Sequence, residues 1–128
     1  MDDSVGGLMT GIQLLIVSAV IHLVGSHAAA GQLERNSFIG VRTKATKASD
    51  AAWHAGHRAA YPWLRATAVT GYVLGGAATA SGAVLLATDQ NSAWPLAVGL
   101  GGLVILMTML LVATKKANSA ARAEPGAS

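Results

Sequence analysis

A short polar segment that follows the first long apolar stretch contains the residues best suited to binding chemistry. Arg42 carries a planar guanidinium whose donors match a carboxylate or a phosphate. Thr43 and Thr46 can hydrogen-bond to the backbone or cap a helix, and Gly40 allows a turn that other residues resist. Together with Asn36, these residues favour one of two roles: a binding surface, or a polar loop anchored against lipid headgroups.

A helix is predicted directly after this segment, over residues 50–61, with Ser49 or Thr46 as its cap. Trp53 and His57 lie four residues apart and therefore share one face of that helix. We interpret it as a short interfacial helix between the first and second membrane spans, with its aromatic face toward lipid or the helix bundle. Trp53 and His57 complete the candidate functional motif.

Four histidines raise the question of a metal site. His54 and His57 are three residues apart on the predicted helix and could share a metal, but zinc normally takes a third or fourth ligand. His22 or His27 would have to supply it, and nothing in the sequence fixes their approach. We therefore predict no metal and no cofactor, and we expect His22 to face the interior of the bundle.

Catalytic machinery is not apparent in the sequence. A proteolytic or acyl-transfer site needs a nucleophile, a base and an orienting acid, and the long apolar stretches contain no carboxylate. The chain has no cysteine, which excludes disulfides and thiolate metal ligands. We therefore predict that the protein acts by binding and is not an enzyme.

The elements that must position these residues are membrane helices. The chain has 128 residues, of which only 12% are charged, compared with about 25% in soluble domains. Three stretches without Asp, Glu, Lys or Arg are each long enough for a helix of about 20 residues to cross about 30 Å of hydrocarbon. The sequence predicts an all-α integral membrane bundle of three transmembrane helices. The spans are expected at about 8–30, 63–87 and 94–114.

The predicted domain organisation is one three-span membrane domain over residues 1–116, followed by a disordered cytoplasmic tail over 117–128. Pro62 is expected to end the interfacial helix or to begin the second span. Within the second span, Gly71 and Gly75 form a GxxxG pair, which allows close approach of another helix.

The distribution of basic residues predicts the orientation in the membrane. All nine Lys and Arg lie in the first loop, at the start of the second span or after the third span. Because basic residues concentrate on the cytoplasmic side, we predict the N-terminus outside and the C-terminus in the cytoplasm of a multi-pass cell-membrane protein. The same clustering points to anionic lipid, and not to nucleic acid, as the partner of these charges.

The polar segment also resembles a family signature. Its pattern reads N…GxRTxxT followed by a Trp, and it appears here as NSFIGVRTKATKASDAAW. In this order and in this membrane context it resembles the SdpI family, small bacterial membrane proteins named for an immunity protein that protects cells from a secreted killing peptide. The resemblance covers roughly residues 8–87, and the third span matches only in type.

The resemblance implies immunity or resistance to a membrane-active peptide toxin, or associated signalling. The named immunity protein is longer and has more spans, whereas this chain resembles a short three-span form. Two hypotheses of other classes stay open: an accessory subunit of a larger membrane complex, and a small oligomeric transporter. The expected partners are the lipid bilayer and a peptide toxin or a membrane protein; whether the chain forms a homo-oligomer is left open.

Overall fold

Three long helices account for most of the chain. The computed structural model describes residues 2–36 and 39–125. All three α-helices are long and apolar enough to cross a membrane, and the described residues contain no strand. The prediction of an all-α protein with three spans is confirmed. In chain order the elements are α1 (Asp3–Ala29), a 3-10 helix (Thr46–Ala48), α2 (Asp50–Ala87) and α3 (Trp94–Arg122).

Large apolar side chains on these helices point away from the protein. Val73, Val104 and Leu111 are 64%, 67% and 64% exposed. Soluble proteins rarely expose large contiguous apolar patches. Lipid tails solvate these side chains well, so the three helices contact the bilayer.

Local sequence signals set the ends of α1. The backbone N–H of Ser4 donates to Oδ1 of Asp2 at 2.7 Å, so Asp2 caps the first turn. At the other end, Gly31 has a φ of +72°, and the N–H of Gln32 donates to the His27 carbonyl at 2.8 Å. This is the arrangement of a Schellman cap, in which glycine takes the left-handed conformation.

The predicted short interfacial helix is not confirmed as a separate element, because its residues form the first part of α2. The hydroxyl of Ser49 accepts the N–H of Ala52 at 3.0 Å and caps this helix. The helix continues through Pro62, although proline removes one helical hydrogen bond. Ala60 and Leu64, on either side of the proline, pack in the same cluster against α3, and this packing holds the helix together.

The third helix extends beyond its predicted end. Residues 117–122 continue α3, where the sequence predicted the start of a disordered tail at residue 117. The reason is an alanine stripe with helical spacing: Ala113, Ala117 and Ala121 are all fully buried. Burial of this stripe stabilises helix in a segment whose polar composition suggested disorder. Residues 126–128 lie outside the described part of the chain.

The chain divides into two compact units, to both of which each helix contributes. The first comprises Met1–Val20 and Thr67–Thr108, and the second comprises Ile21–Ala66 and Met109–Ser128. In the first unit, a Cβ placed on Gly71 would collide with the hydroxyl of Ser18, and one on Gly75 would lie 3.0 Å from the Gly11 carbonyl oxygen. The close approach predicted for the GxxxG pair is therefore confirmed, with α1 as the partner helix.

The core of the second unit is built from small side chains on α2 and α3. Ala60 and Leu64 pack with Ala113 and Ala117, and Ile21, Val41 and Leu110 pack against them. A smaller cluster contains Ala45, Ala52 and Ala121. Because Val41 and Ala45 belong to the polar segment between α1 and α2, that segment is part of this core.

Candidate functional site

The site is the described part of the loop between α1 and α2, residues 32–36 and 39–49, which docks on α2 and α3 within the second unit. It begins with a turn organised by Asn36. The side-chain amide of Asn36 donates to the carbonyls of Glu34 and Ile39, at 2.8 and 3.0 Å. Its Oδ1 accepts the N–H of Ile39 at 2.7 Å. Asn36 therefore closes the turn that leads into Gly40.

Gly40 brings the backbone against two aromatic rings of α2. Its φ is +113°, and a Cβ added there would lie 2.7 Å from Nε2 of His57 and 3.0 Å from the ring of Trp53. Both the conformation and the space exclude a side chain. This close approach lets the N–H of Val41 donate to Nε2 of His57 at 2.9 Å.

Trp53 and His57 form a fully buried pair beneath the loop. Their ring centroids are 4.3 Å apart. The indole Nε1–H of Trp53 donates to the Leu33 carbonyl at 2.9 Å, and Nδ1 of His57 lies 2.8 Å from the carbonyl of Trp53. The sequence predicted that the two rings share a helix face. The structure adds that this face is covered by the chain's own loop.

Two threonines lock the second half of the loop. The hydroxyl of Thr46 donates to the Val41 carbonyl at 2.6 Å and accepts the N–H of Thr43 at 2.9 Å. The hydroxyl of Thr43 donates to Oδ1 of Asn118 on α3 at 2.5 Å. Thr46 is fully buried. These bonds tie the loop to itself and to the third helix.

Gly56 explains how the 3-10 helix and α3 both fit against α2. A Cβ at this position would lie 2.9 Å from Cγ2 of Thr46 and 3.1 Å from the carbonyl oxygen of Ala117. Sequence reasoning missed Gly56 and Asn118. The alanine-rich context of Gly56 gave a weak hint, since glycine inside such a helix calls for a packing reason, whereas nothing local marked Asn118.

An ion pair joins the start of the loop to the start of α2, and sequence reasoning missed it as well. Nε of Arg35 lies 3.3 Å from Oδ1 of Asp50, and Nη1 of Arg35 donates to the Lys47 carbonyl at 3.2 Å. Both charged side chains are substantially exposed, so the ion pair itself contributes little to stability. With His54 and Glu34 they line a polar cleft.

His57 lies before the predicted second span, and its electrostatics follow from its contacts. Burial lowers the pKa of His57 below its ordinary value of 6.5, because the charged ring loses water. The neighbouring His54 lowers this pKa further, while the hydrogen bond to Trp53 opposes the shift. A neutral ring with its proton on Nδ1 fits both bonds, since Nε2 must then accept the N–H of Val41.

The side chains of His54 and His57 have different partners. Both ring nitrogens of His57 are engaged by the backbone, whereas His54 lines the polar cleft beside Glu34. The shared metal site that their spacing suggested is therefore incompatible with the hydrogen bonds of His57.

Arg42 differs from the other candidate residues. Its side chain is exposed, and its Nε donates to the Asn36 carbonyl at 3.4 Å. The other candidates bond or pack within the docked loop: Asn36, Gly40, Thr43, Thr46, Trp53 and His57. The arrangement can hold one cationic side chain on a fixed support.

A family model provides independent evidence on this loop. The model of the SdpI/YfhL protein family matches residues 32–114. The chain belongs to the SdpI/YfhL family. A search of curated proteins and a search of solved structures each returned no significant match.

The SdpI/YfhL match differs in extent from the resemblance inferred from the motif. It begins in the loop and includes most of α3, whereas the motif suggested a region from residue 8 to residue 87. Most of the third helix therefore belongs to the region that the chain shares with the family, and all of α1 lies outside the match. All seven candidate residues fall inside it.

Proposed function

We propose that this SdpI/YfhL protein acts by binding and not by catalysis, as an immunity or resistance protein against a membrane-active peptide toxin. The observation that carries the proposal is the contrast between Arg42 and the residues around it. Six candidate residues are used to build a fixed loop, and the exposed Arg42 is left for contact with a partner.

The chemistry of this contact follows from the guanidinium. The hydrogen bond from Nε to the Asn36 carbonyl restrains the side chain and leaves the terminal amino groups for another acceptor. A planar pair of donors suits a carboxylate or phosphate, which it can bind through two parallel hydrogen bonds. We propose that an anionic group on the toxin, or on a signalling partner, occupies this position.

Protection of toxin-exposed cells tests the proposal. Arg42→Ala should abolish protection while leaving the amount of protein in the membrane unchanged, because the side chain is exposed and supports no buried contact. Arg42→Lys should protect only partly, since lysine keeps the charge but cannot form the paired bonds. Lys44→Ala is the matched control, as it removes an exposed charge from the same loop. Full protection by Arg42→Ala would exclude Arg42 from the site.

The proposed orientation has the N-terminus outside and the basic loop and C-terminus in the cytoplasm. The asymmetry of the nine basic residues supports it. Because the chain has no cysteine, Gln90→Cys and Lys44→Cys each introduce one unique thiol. A membrane-impermeant maleimide should label the first variant in intact cells and the second only after lysis. The reverse pattern would overturn the orientation and move Arg42 to the cell exterior.

An accessory subunit would need a helix face that accepts a partner, and the small residues of the second span, among them Gly71 and Gly75, are the candidate for such a face. Gly71 and Gly75 of that face are already packed against α1 within the first unit, so those positions are not open to a partner. Gentle detergent extraction still separates the hypotheses, because an accessory subunit should co-purify with a stable complex. The transporter hypothesis lacks the intramembrane carboxylate that proton coupling usually uses, and drug-sensitivity measurements in a deletion strain test it.

A further inference from the structure

A second polar site lies between α1 and α2, away from the docked loop's hydrogen-bond network. It is a narrow cleft of about 50 Å³ within the second unit. This volume is far below the roughly 300–1,000 Å³ of sites for drug-sized molecules, and it matches a small group of a few atoms. The cleft is lined by Ile21, His22, Gly25, Ser26, Tyr61 and Arg65.

Four polar side chains reach this cleft from two helices. His22 and Ser26 are four residues apart on α1, and Tyr61 and Arg65 are four residues apart on α2. Residues at this spacing lie on the same face of a helix. The lining therefore combines one permanent cation, two hydroxyl groups and an imidazole, which together suit an anion with several acceptor oxygens.

Close helix packing brings the two pairs together. Gly25 is buried between them, and a Cβ added there would lie 3.4 Å from Cβ of Leu64 and 3.8 Å from Cδ1 of Tyr61. These are ordinary van der Waals distances, so the two helices lie about as close as a Cβ at this position would allow. Among the described residues, the Arg65 guanidinium has no hydrogen-bond or ion-pair partner, and neither has the Tyr61 hydroxyl. These two donors are therefore available to a ligand.

The position of the cleft along the helices indicates which anion is available to it. Arg65 is the last charged residue before an uncharged stretch that extends to Asp89, so it lies where α2 enters the hydrocarbon layer. Trp63, which is 38% exposed, is the type of residue enriched at the level of the headgroups. At this depth, the anions at high local concentration are the phosphates of lipids.

We propose that this cleft binds the headgroup phosphate of an anionic phospholipid such as phosphatidylglycerol. The Arg65 guanidinium supplies the charge, and the hydroxyls of Tyr61 and Ser26 donate to the remaining phosphate oxygens, with the His22 imidazole beside them. The acyl chains extend along the apolar surface of α1 and α2. The lipid then acts as a specific ligand that bridges the two helices at the basic end of the spans.

Lipid binding to the detergent-solubilised full chain, followed by native mass spectrometry, tests this proposal. The wild type should bind phosphatidylglycerol more tightly than phosphatidylcholine, because the choline cation of the latter would lie close to the Arg65 guanidinium and repel it. Arg65→Gln should weaken phosphatidylglycerol binding about tenfold, as expected for loss of a charged hydrogen bond. Tyr61→Phe should weaken it severalfold while keeping the ring. Arg122→Gln is the matched control, because it removes an exposed arginine from the end of α3, and it should change nothing.

Each alternative outcome has a distinct meaning. Equal effects of Arg65→Gln and Arg122→Gln would reduce the result to general charge attraction and overturn the specific site. Displacement of the lipid by inorganic phosphate at equal concentration would assign the cleft to free phosphate and overturn the lipid assignment. Each variant must match the wild type in circular dichroism and size-exclusion chromatography. If Arg65→Gln fails to fold, the proposal is still tested by Tyr61→Phe, which keeps the arginine charge.

Discussion

Nε2 of His57 accepts a hydrogen bond from the backbone N–H of Val41 at 2.9 Å. The other ring nitrogen lies 2.8 Å from the Trp53 carbonyl, so a neutral ring with the proton on Nδ1 satisfies both contacts. A protonated ring would present a second N–H to the N–H of Val41 and would break the bond. The hydrogen bond between Val41 and His57 therefore requires a neutral imidazole.

We expect acid to loosen the docked loop through His57. Because the pKa of His57 is lower in the folded protein than its ordinary value of 6.5, the unfolded or undocked chain binds the proton more readily. The stabilisation is thus fully present above about pH 6.5 and is lost as the pH falls through the lower, folded-state pKa. Hydrogen exchange of the Val41 amide, corrected for its intrinsic pH dependence, should show this loss of protection.

Two glutamine substitutions distinguish the effect of His57 from that of His54. His57→Gln keeps an acceptor for Val41 but cannot be protonated near neutral pH, so protection of the amide should lose its pH dependence. His54→Gln removes a partly exposed histidine on the same helix and should retain that dependence. A pH-dependent step that persists unchanged in His57→Gln would assign the effect to another group.

Gly40→Ala should destabilise the protein by about 2 kcal/mol, the order of cost of a strained backbone at a site that cannot relax. The added methyl group would also lie 2.7 Å from Nε2 of His57 and displace the Val41 bond. Gly31→Ala is the matched control: its φ is also positive, at +72°, but an added Cβ has nothing within 4 Å. Thermal unfolding in detergent should show a larger decrease in unfolding temperature for Gly40→Ala than for Gly31→Ala. Equal decreases would mean that only the backbone conformation, and not the contact with His57, causes the loss.

The sequence predicted the spans well, because a charged side chain within the hydrocarbon layer is costly and its absence is visible residue by residue. It could not predict that α2 continues through Pro62, since that depends on the packing of Ala60 and Leu64 against α3. The sequence also identified the residues of the candidate motif, but not the role of each one. Gly40 is needed because the rings of His57 and Trp53 lie against it, and the hydroxyl of Thr43 bonds to Asn118, 75 positions away. Neither contact can be inferred from the neighbouring residues in the sequence.

Thr46→Val should cost about 2 kcal/mol of stability, although the two side chains have nearly the same shape. The valine would leave the Val41 carbonyl and the Thr43 N–H without their buried partner, and an unsatisfied buried group costs about 1–3 kcal/mol. Thermal unfolding in detergent measures the change.

Thr108→Val provides the control for this substitution. Thr108 is exposed on α3, and among the described residues its hydroxyl bonds only to the Val104 carbonyl within the same helix. The change should alter the unfolding temperature little, because that carbonyl already accepts a helical hydrogen bond. If Thr46→Val and Thr108→Val proved equally mild, the threonine network would not hold the loop.

Gly71→Ala should destabilise the first unit, because the new Cβ would collide with the hydroxyl of Ser18 and approach Cδ2 of Leu106 to 3.0 Å. Overpacking of this kind costs about 1–3 kcal/mol. Gly76→Ala is the control on the same helix, since an added Cβ there has nothing within 4 Å. It should be neutral or should stabilise the helix by up to about 1 kcal/mol, as alanine favours helix over glycine.

A double substitution identifies the colliding atom. The Ser18 hydroxyl is buried and has no hydrogen-bond partner among the described residues, so Ser18→Ala removes an unsatisfied group and should cost little by itself. Combined with Gly71→Ala, it should recover part of the lost stability, because the remaining Ser18 Cβ would lie 3.1 Å from the new methyl group. Additive unfolding free energies in the two single variants and the double variant would show that Ser18 and Gly71 are not in contact.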